Sequence, residues 1–187
     1  ITSTLPQSEL IATRLDSGPS LPADAFFNEY APARLQTYIA PFIVGQYAMH
    51  VGDYAGAQQL FAQAIAATTA DPPDGIEYAH LLEGNADYRL ADYQSAQDHY
   101  TSALQANPGL LDAYYNRALT HGWLGDIEAA DQDLQALLSR DPGYSYAYVN
   151  RGLILLMQAY AEEETAVKTG LWEAAEEAFT QALATLP

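Results

Sequence analysis

Apolar residues recur along this chain in stripes that suit helices rather than strands. Tyr93, Ala96, Tyr100, Ala103 and Leu104 fall at i, i+3, i+7, i+10 and i+11, which is one face of an α-helix. The stripe occurs four times. Its copies open at Asp53-Tyr54, Asp92-Tyr93, Asp126-Ile127 and, with the acid lost, Leu171-Trp172. Each continues through an alanine (Ala57, Ala96, Ala130, Ala175), a large apolar residue (Phe61, Tyr100, Leu134, Phe179) and a further Ala or Leu (Ala64, Ala103, Leu137, Ala182). The leading aspartate stands where a carboxylate can accept the unpaired amides of a first helical turn. A second helix precedes each stripe, joined to it by a short turn marked by Gly52, Ala91, Gly125 or Gly170. These earlier helices carry Gly45, Gly84, Ala118 and Gly152, and small residues facing each other, as with Gly84 and Ala96, predict a close crossing. Each pair leaves an apolar face that only the next pair can cover.

The spacing is regular in the middle of the chain. Asp92 and Asp126 are 34 residues apart, as are Pro108 and Pro142. The pattern resembles the tetratricopeptide repeat, a 34-residue helix-turn-helix with Gly or Ala in its first helix, Ala and an aromatic residue in its second, and a closing Pro. The resemblance implies an all-α, right-handed superhelical solenoid of antiparallel helix pairs. Its repeats fall at 38–71, 77–110, 111–144 and 145–187. The third fits without a gap, and its segment Tyr115 to Ala118 resembles common bacterial versions. Two departures follow. Asp53 and Asp92 are 39 residues apart, and the surplus matches a loop at Pro72, Pro73, Asp74, Gly75 and Ile76. Asp126 and Leu171 are 45 apart, which leaves an insertion at about 159–169. Its Ala and Glu content and the Glu164–Lys168 spacing point to a longer first helix returning at Gly170, with a solvated loop as the alternative.

Composition narrows the partners. With 24 acidic and 7 basic residues the formal net charge is −17, a surface that repels phosphate backbones and excludes nucleic acid. It suits a basic partner, or it serves only to keep an apolar-rich repeat protein in solution. No apolar run is long enough to span a bilayer, so no membrane insertion is expected of this segment. The compartment, cytoplasmic or extracytoplasmic, is not encoded in the composition. The first residue is Ile1 rather than Met, which suits a mature product or a piece of a longer chain.

Candidate chemistry is sparse. Cysteine is absent, which removes thiolate catalysis and thiolate-bound zinc. The four histidines, His50, His80, His99 and His121, occupy four different repeat positions and form no i, i+4 pair, so neither a metal nor a cofactor is expected. No phosphate-binding glycine loop or nucleophile elbow is present. Glu162, Glu163 and Glu164 are consecutive and diverge around a helix, as a solvated face does. Catalytic residues are therefore expected to be none. Arg117 and Arg151 sit where the repeat is usually apolar, and Asp133 is the expected ion-pair partner of one of them.

Binding is the expected role. In the family resembled, first helices line a concave groove. Carried over by repeat position, that groove takes Tyr78, Leu81, Asn85, Tyr88 and Arg89 from the second repeat. The third gives Tyr115, Asn116, Leu119 and Trp123, and the fourth Tyr146, Val149, Asn150, Leu153 and Met157. Aromatic rings beside amides suit a peptide, since rings bury area and amides pair with a ligand backbone. The alternative is that several of these rings pack between helices. One sub-family clamps a partner's terminal carboxylate with basic residues and two asparagines. Asn85 and Asn116 match the asparagines, but Leu81, Tyr146 and Asn150 stand at the basic positions, so carboxylate capture is not expected.

These readings converge on a non-catalytic scaffold that holds a peptide or helix of another protein, basic or apolar. The alternatives are a self-association module, or a regulatory domain of a larger enzyme. The proline-bearing segment 1–37 is expected to pack on the solenoid, with short helices at Ser8–Asp16 and Asp24–Tyr30. Residues 24–37 would cap the first repeat, and residues 1–16 would reach the groove. The last helix, from about Leu171, is expected to bury Trp172, Ala175, Phe179, Ala182 and Leu183. It would leave Ala174, Glu177, Ala178, Gln181 and Leu186 as a partly polar outer face for a weak homodimer or a continuation of the chain.

Overall fold

The computed structural model describes residues 35–67 and 75–186. The expected helices of 1–37, most of that extension and residues 72–74 of the inter-repeat loop lie outside them. Ile76, assigned to that loop by composition, instead opens a helix.

Every regular element described is helical. A π-helical turn at Leu35–Ile39 leads into α1 (Ala40–Val51), followed by α2 (Tyr54–Ala66). Next come α3 (Ile76–Arg89), α4 (Tyr93–Ala106), α5 (Leu111–Leu124) and α6 (Ile127–Leu138). The last pair is α7 (Ser145–Ala161) and α8 (Thr165–Thr185). Each helix packs on the next, and α1, α3, α5 and α7 also touch in succession. The fold is an all-α solenoid of antiparallel helix pairs, with the odd-numbered helices forming one wall.

Local chemistry sets the hairpins. Asp53, Asp92 and Asp126 cap α2, α4 and α6, each carboxylate accepting from the backbone N–H three residues on. The chain before each cap turns through a left-handed residue: Gly52, Ala91 and Gly125. The Asp backbone N–H then reaches back to the carbonyl of Ala48, Asp87 or His121, tying off the preceding helix.

The small residues of the first helices do more than meet other small residues. A Cβ on Gly84 would lie 2.8 Å from the Tyr100 ring as well as 3.2 Å from the Ala96 carbonyl oxygen. At Gly152 it would lie 2.6 Å from the ring of Phe179. The missing side chain is the space in which the ring sits. In the third pair the ring is replaced by Leu134, and Ala118 is accommodated; both are fully buried in one cluster.

The fourth pair departs from the repeat. The insertion lengthens both helices: α7 runs on to Ala161, a three-residue turn follows, and α8 begins at Thr165. Gly170, expected to mark the turn, lies inside α8. Within α8 the buried stripe is Ala175, Ala178 and Ala182. Trp172 and Leu183 are exposed, Leu183 to 73%, and Ala178, expected outside, is buried. At about 100° per residue, Trp172 and Leu183 sit roughly 60–80° off that stripe, on its flank.

Ion pairs join helices where the repeat is usually apolar. Arg117 on α5 donates from Nε and Nη2 to both carboxylate oxygens of Asp133 on α6, at 2.8 and 2.7 Å, and from Nη1 to Thr101 Oγ1. Arg151 on α7 pairs with Asp131 at 2.8 Å.

Candidate functional site

The wall of first helices holds a hollow of about 340 Å³, lined by Met49, Asn85, Tyr88, Arg89, Tyr100, Asn116 and Leu119. At its floor Asn85 Oδ1 accepts from Tyr100 Oη at 2.9 Å and from Asn116 Nδ2 at 2.8 Å. Tyr100 is fully buried, and burial pushes its phenol up, so the hydroxyl stays protonated and donating. One carbonyl thus ties α3, α4 and α5 together. Asn85 Nδ2 and Asn116 Oδ1 then have no partner among the described residues, which leaves a donor and an acceptor for a ligand backbone.

An aromatic ledge borders the hollow. Trp123 stacks on Tyr93, with centroids 5.4 Å apart and planes 2° from parallel, and its indole N–H donates to Tyr88 Oη at 2.7 Å. Tyr88 meets Tyr93 edge-on. Trp123 is held by these contacts yet 64% exposed, which suits it to cover a ligand. In the preceding repeat Arg89 occupies the same position and lies over the Tyr54 ring, 5.9 Å from its centroid. Farther along, Asn150 Nδ2 donates to Tyr115 Oη at 2.9 Å and to the Tyr146 carbonyl at 3.0 Å.

The residues expected to line a groove are therefore distributed unevenly. Asn85, Tyr88, Arg89, Asn116 and Leu119 meet in the hollow, and Trp123 stands on its rim. Tyr115, Tyr146 and Asn150 form the neighbouring hydrogen-bonded group. Tyr78, Leu153 and Met157 are exposed and Val149 is half-buried, all away from the hollow. Leu81 departs from the expectation: it is 6% exposed and packs with Ala96, Tyr100, Leu104 and Leu110 in the core. Met49 and Tyr100 line the hollow but were not foreseen. Met49 holds in the first repeat the position that Tyr88 holds in the second. Tyr100 reads as a core residue, and only its hydroxyl reaches the groove.

Sequence spacing separates the histidines, but the fold brings two together. His80 on α3 and His99 on α4 stack with centroids 5.8 Å apart. His99 Nε2 lies 3.5 Å from Glu83 Oε1 and 3.7 Å from Asp87 Oδ2. Burial lowers both imidazoles below their ordinary value, and burial with the Asp87 charge raises Glu83 to about 7.

Comparison with known proteins fits this geometry. The tetratricopeptide repeat family matches residues 111–144, which span α5 and α6. A search of curated proteins by sequence finds no match. Among solved structures, MamA superposes with a TM-score of 0.67 and 22% identity, over 78% of this chain and 76% of that one. The second tetratricopeptide domain of human RPAP3, in complex with the HSP70 peptide SGPTIEEVD, gives 0.58 and 22%, over 63% and 94%. The first such domain of Spaghetti (RPAP3), bound to the HSP90 peptide SRMEEVD, gives 0.59 and 22%, over 68% and 95%. By its fold the chain is a helical-repeat solenoid. More particularly, residues 111–144 match one full tetratricopeptide repeat, and the chain shares the fold of solved solenoids of that kind. Among the described residues no helix is long and apolar enough to cross a membrane.

Proposed function

We propose that this protein is a non-catalytic interaction scaffold whose groove binds a peptide or helix of another protein. The observation that carries this reading is the paired asparagines held by Tyr100 beside the exposed Trp123 ledge. Amides that have already made their internal bonds need no reorganisation to meet a ligand backbone, and a stacked ring covers it at little entropic cost. The hollow's lining offers amides, rings, a thioether and one guanidinium, with neither a carboxylate nor an imidazole to serve as a base. The RPAP3 domains of the same fold hold peptides ending in Glu-Glu-Val-Asp, which lends weight to a peptide ligand. The ligand should differ in chemistry. Leu81, Tyr146 and Asn150 replace the bases of a carboxylate clamp, and the net charge of −17 favours basic or apolar segments.

Selection from an unbiased peptide library, followed by fluorescence anisotropy, tests the reading. Trp123→Ala should weaken a selected peptide by about thirtyfold, the equivalent of a 2 kcal/mol anchor. A peptide ending in Glu-Glu-Val-Asp should bind no better than its C-terminal amide. Unchanged affinity in Trp123→Ala would refute the groove assignment.

Self-association is a second reading, favoured by the exposed Trp172 and Leu183 on α8 and Leu186 just after it. Sedimentation across a concentration series should show a reversible dimer that Leu183→Glu abolishes. A monomer throughout would remove this reading and leave the groove untouched.

A further inference from the structure

Four side chains away from the groove have chemistry that peptide binding does not use. His80, Glu83 and Asp87 lie along α3 and His99 faces them from α4, with Gln58 of α2 behind. None of the five lines the hollow. Helix spacing explains the α3 set: positions i, i+3 and i+7 share a face. That face is packed under α4, so Glu83 and Asp87 are buried.

The group is poorly satisfied by the protein alone. His80 Nδ1, Glu83 Oε2 and Asp87 Oδ2 are buried without a hydrogen-bond partner among the described residues. Buried polar atoms are normally paired, and two adjacent carboxylates with two imidazoles supply mainly lone pairs. The second Asp87 oxygen, Oδ1, is held by Gln58 Nε2 at 2.5 Å, which orients the free one. Such a set has the donor chemistry to hold a cation.

We propose that His80, Glu83 and His99 bind a divalent transition-metal ion of the zinc type, with the Asp87 carboxylate beside His99 adding negative charge, and that the ion ties α3 to α4. One donor atom from each of the first three already lies within 4.8 Å of the others. Around a tetrahedral zinc with bonds of about 2.0–2.1 Å, donors stand roughly 3.3 Å apart. The His99–Glu83 separation of 3.5 Å is close to this value, and the remaining pairs of the three, all within 4.8 Å, have to draw together by side-chain rotation. Two imidazoles with carboxylates suit zinc, cobalt or nickel better than calcium or magnesium, which take oxygen donors alone. His99 is partly exposed, with 27% of its side chain accessible, and gives an ion a way in.

The test must separate this site from the many surface carboxylates, which collect divalent ions without imidazole. The unaltered protein is stripped with chelator and titrated with zinc chloride in excess magnesium. One zinc per chain should bind, and the melting temperature should rise. X-ray absorption of the zinc-loaded protein should show two imidazole ligands at about 2.0 Å. Loss of an outer partner of a metal ligand typically costs tenfold to a hundredfold in affinity, so His80→Gln and His99→Gln should each lose more than about tenfold. His50→Gln and His121→Gln should bind as the parent does. Absorption showing oxygen ligands alone, or no zinc held against magnesium, would overturn the proposal even if the His80 and His99 variants fold poorly. So would equal binding by well-folded His80→Gln and His99→Gln proteins.

Discussion

Tyr100→Ala should lower the unfolding free energy by about 3–5 kcal/mol, the range for removing a large buried ring. The ring is fully buried against Gly84, and no side chain at Gly84 can relax into the space it leaves. Tyr100→Phe keeps the ring and removes only the hydroxyl that donates to Asn85. It should cost about 1 kcal/mol in stability, the net worth of one neutral hydrogen bond. It should also weaken peptide binding, because Asn85 is then held by Asn116 alone. Urea denaturation of both variants, with anisotropy on the Phe variant, reads the two effects separately. A Tyr100→Ala protein as stable as the parent would mean that α3 and α4 do not pack as described.

Arg117→Met should cost about 3 kcal/mol near neutral pH. Breaking a buried pair by removing one partner typically costs 3–5 kcal/mol, and the lower end applies because Arg117 remains 20% exposed. Methionine is unbranched like the arginine stem but loses the guanidinium that lies 5.9 Å from the Tyr114 ring centroid and its bond to Thr101, so the loss reports the stranded Asp133 together with these smaller contacts. His121 Nε2 lies 3.7 Å from Asp133 Oδ2. In the parent, burial depresses this imidazole, and Arg117 adds to the depression while Asp133 opposes it. Removing Arg117 therefore raises the folded-state value relative to the parent. A raised value adds stability below it and loses that stability as pH rises through it. The deficit of Arg117→Met should then shrink from pH ~8 to pH ~5.5, a window that brackets the ordinary imidazole value of about 6.5. The same series in Arg117→Met/His121→Gln should show no such shrinkage.

What the sequence revealed follows from the range of the forces involved. The three Asp caps, the hairpins they open and the pairing of Arg117 with Asp133 depend on neighbours within one repeat, where helical period and capping chemistry act directly. The fourth hairpin did not, because eleven additional residues can be shared between two helices in several ways, and tertiary packing chose to extend both. That choice carried Gly170 into α8 and moved the buried stripe to Ala175, Ala178 and Ala182. Residues that line the hollow were legible where repeat position fixes direction, as at Asn85 and Asn116. Leu81 was misplaced because the rotation of α3 against α4 turns it into the core beside Tyr100. The meeting of His80 with His99 was hidden for a related reason. Their 19-residue separation has no helical period in common, and only the antiparallel crossing of α3 and α4 brings the rings into contact.

The central claim is that the wall of first helices is the binding surface, and amide NMR of the isotopically labelled protein tests it most directly. A peptide selected from an unbiased library is titrated in, and the perturbed residues are mapped onto the helices. Shifts should concentrate on Asn85, Tyr88, Asn116, Leu119 and the Trp123 indole, with the solvent faces of α2, α4 and α6 unchanged. Shifts confined to those even-numbered helices or to α8, with the Trp123 indole unmoved at saturation, would contradict it.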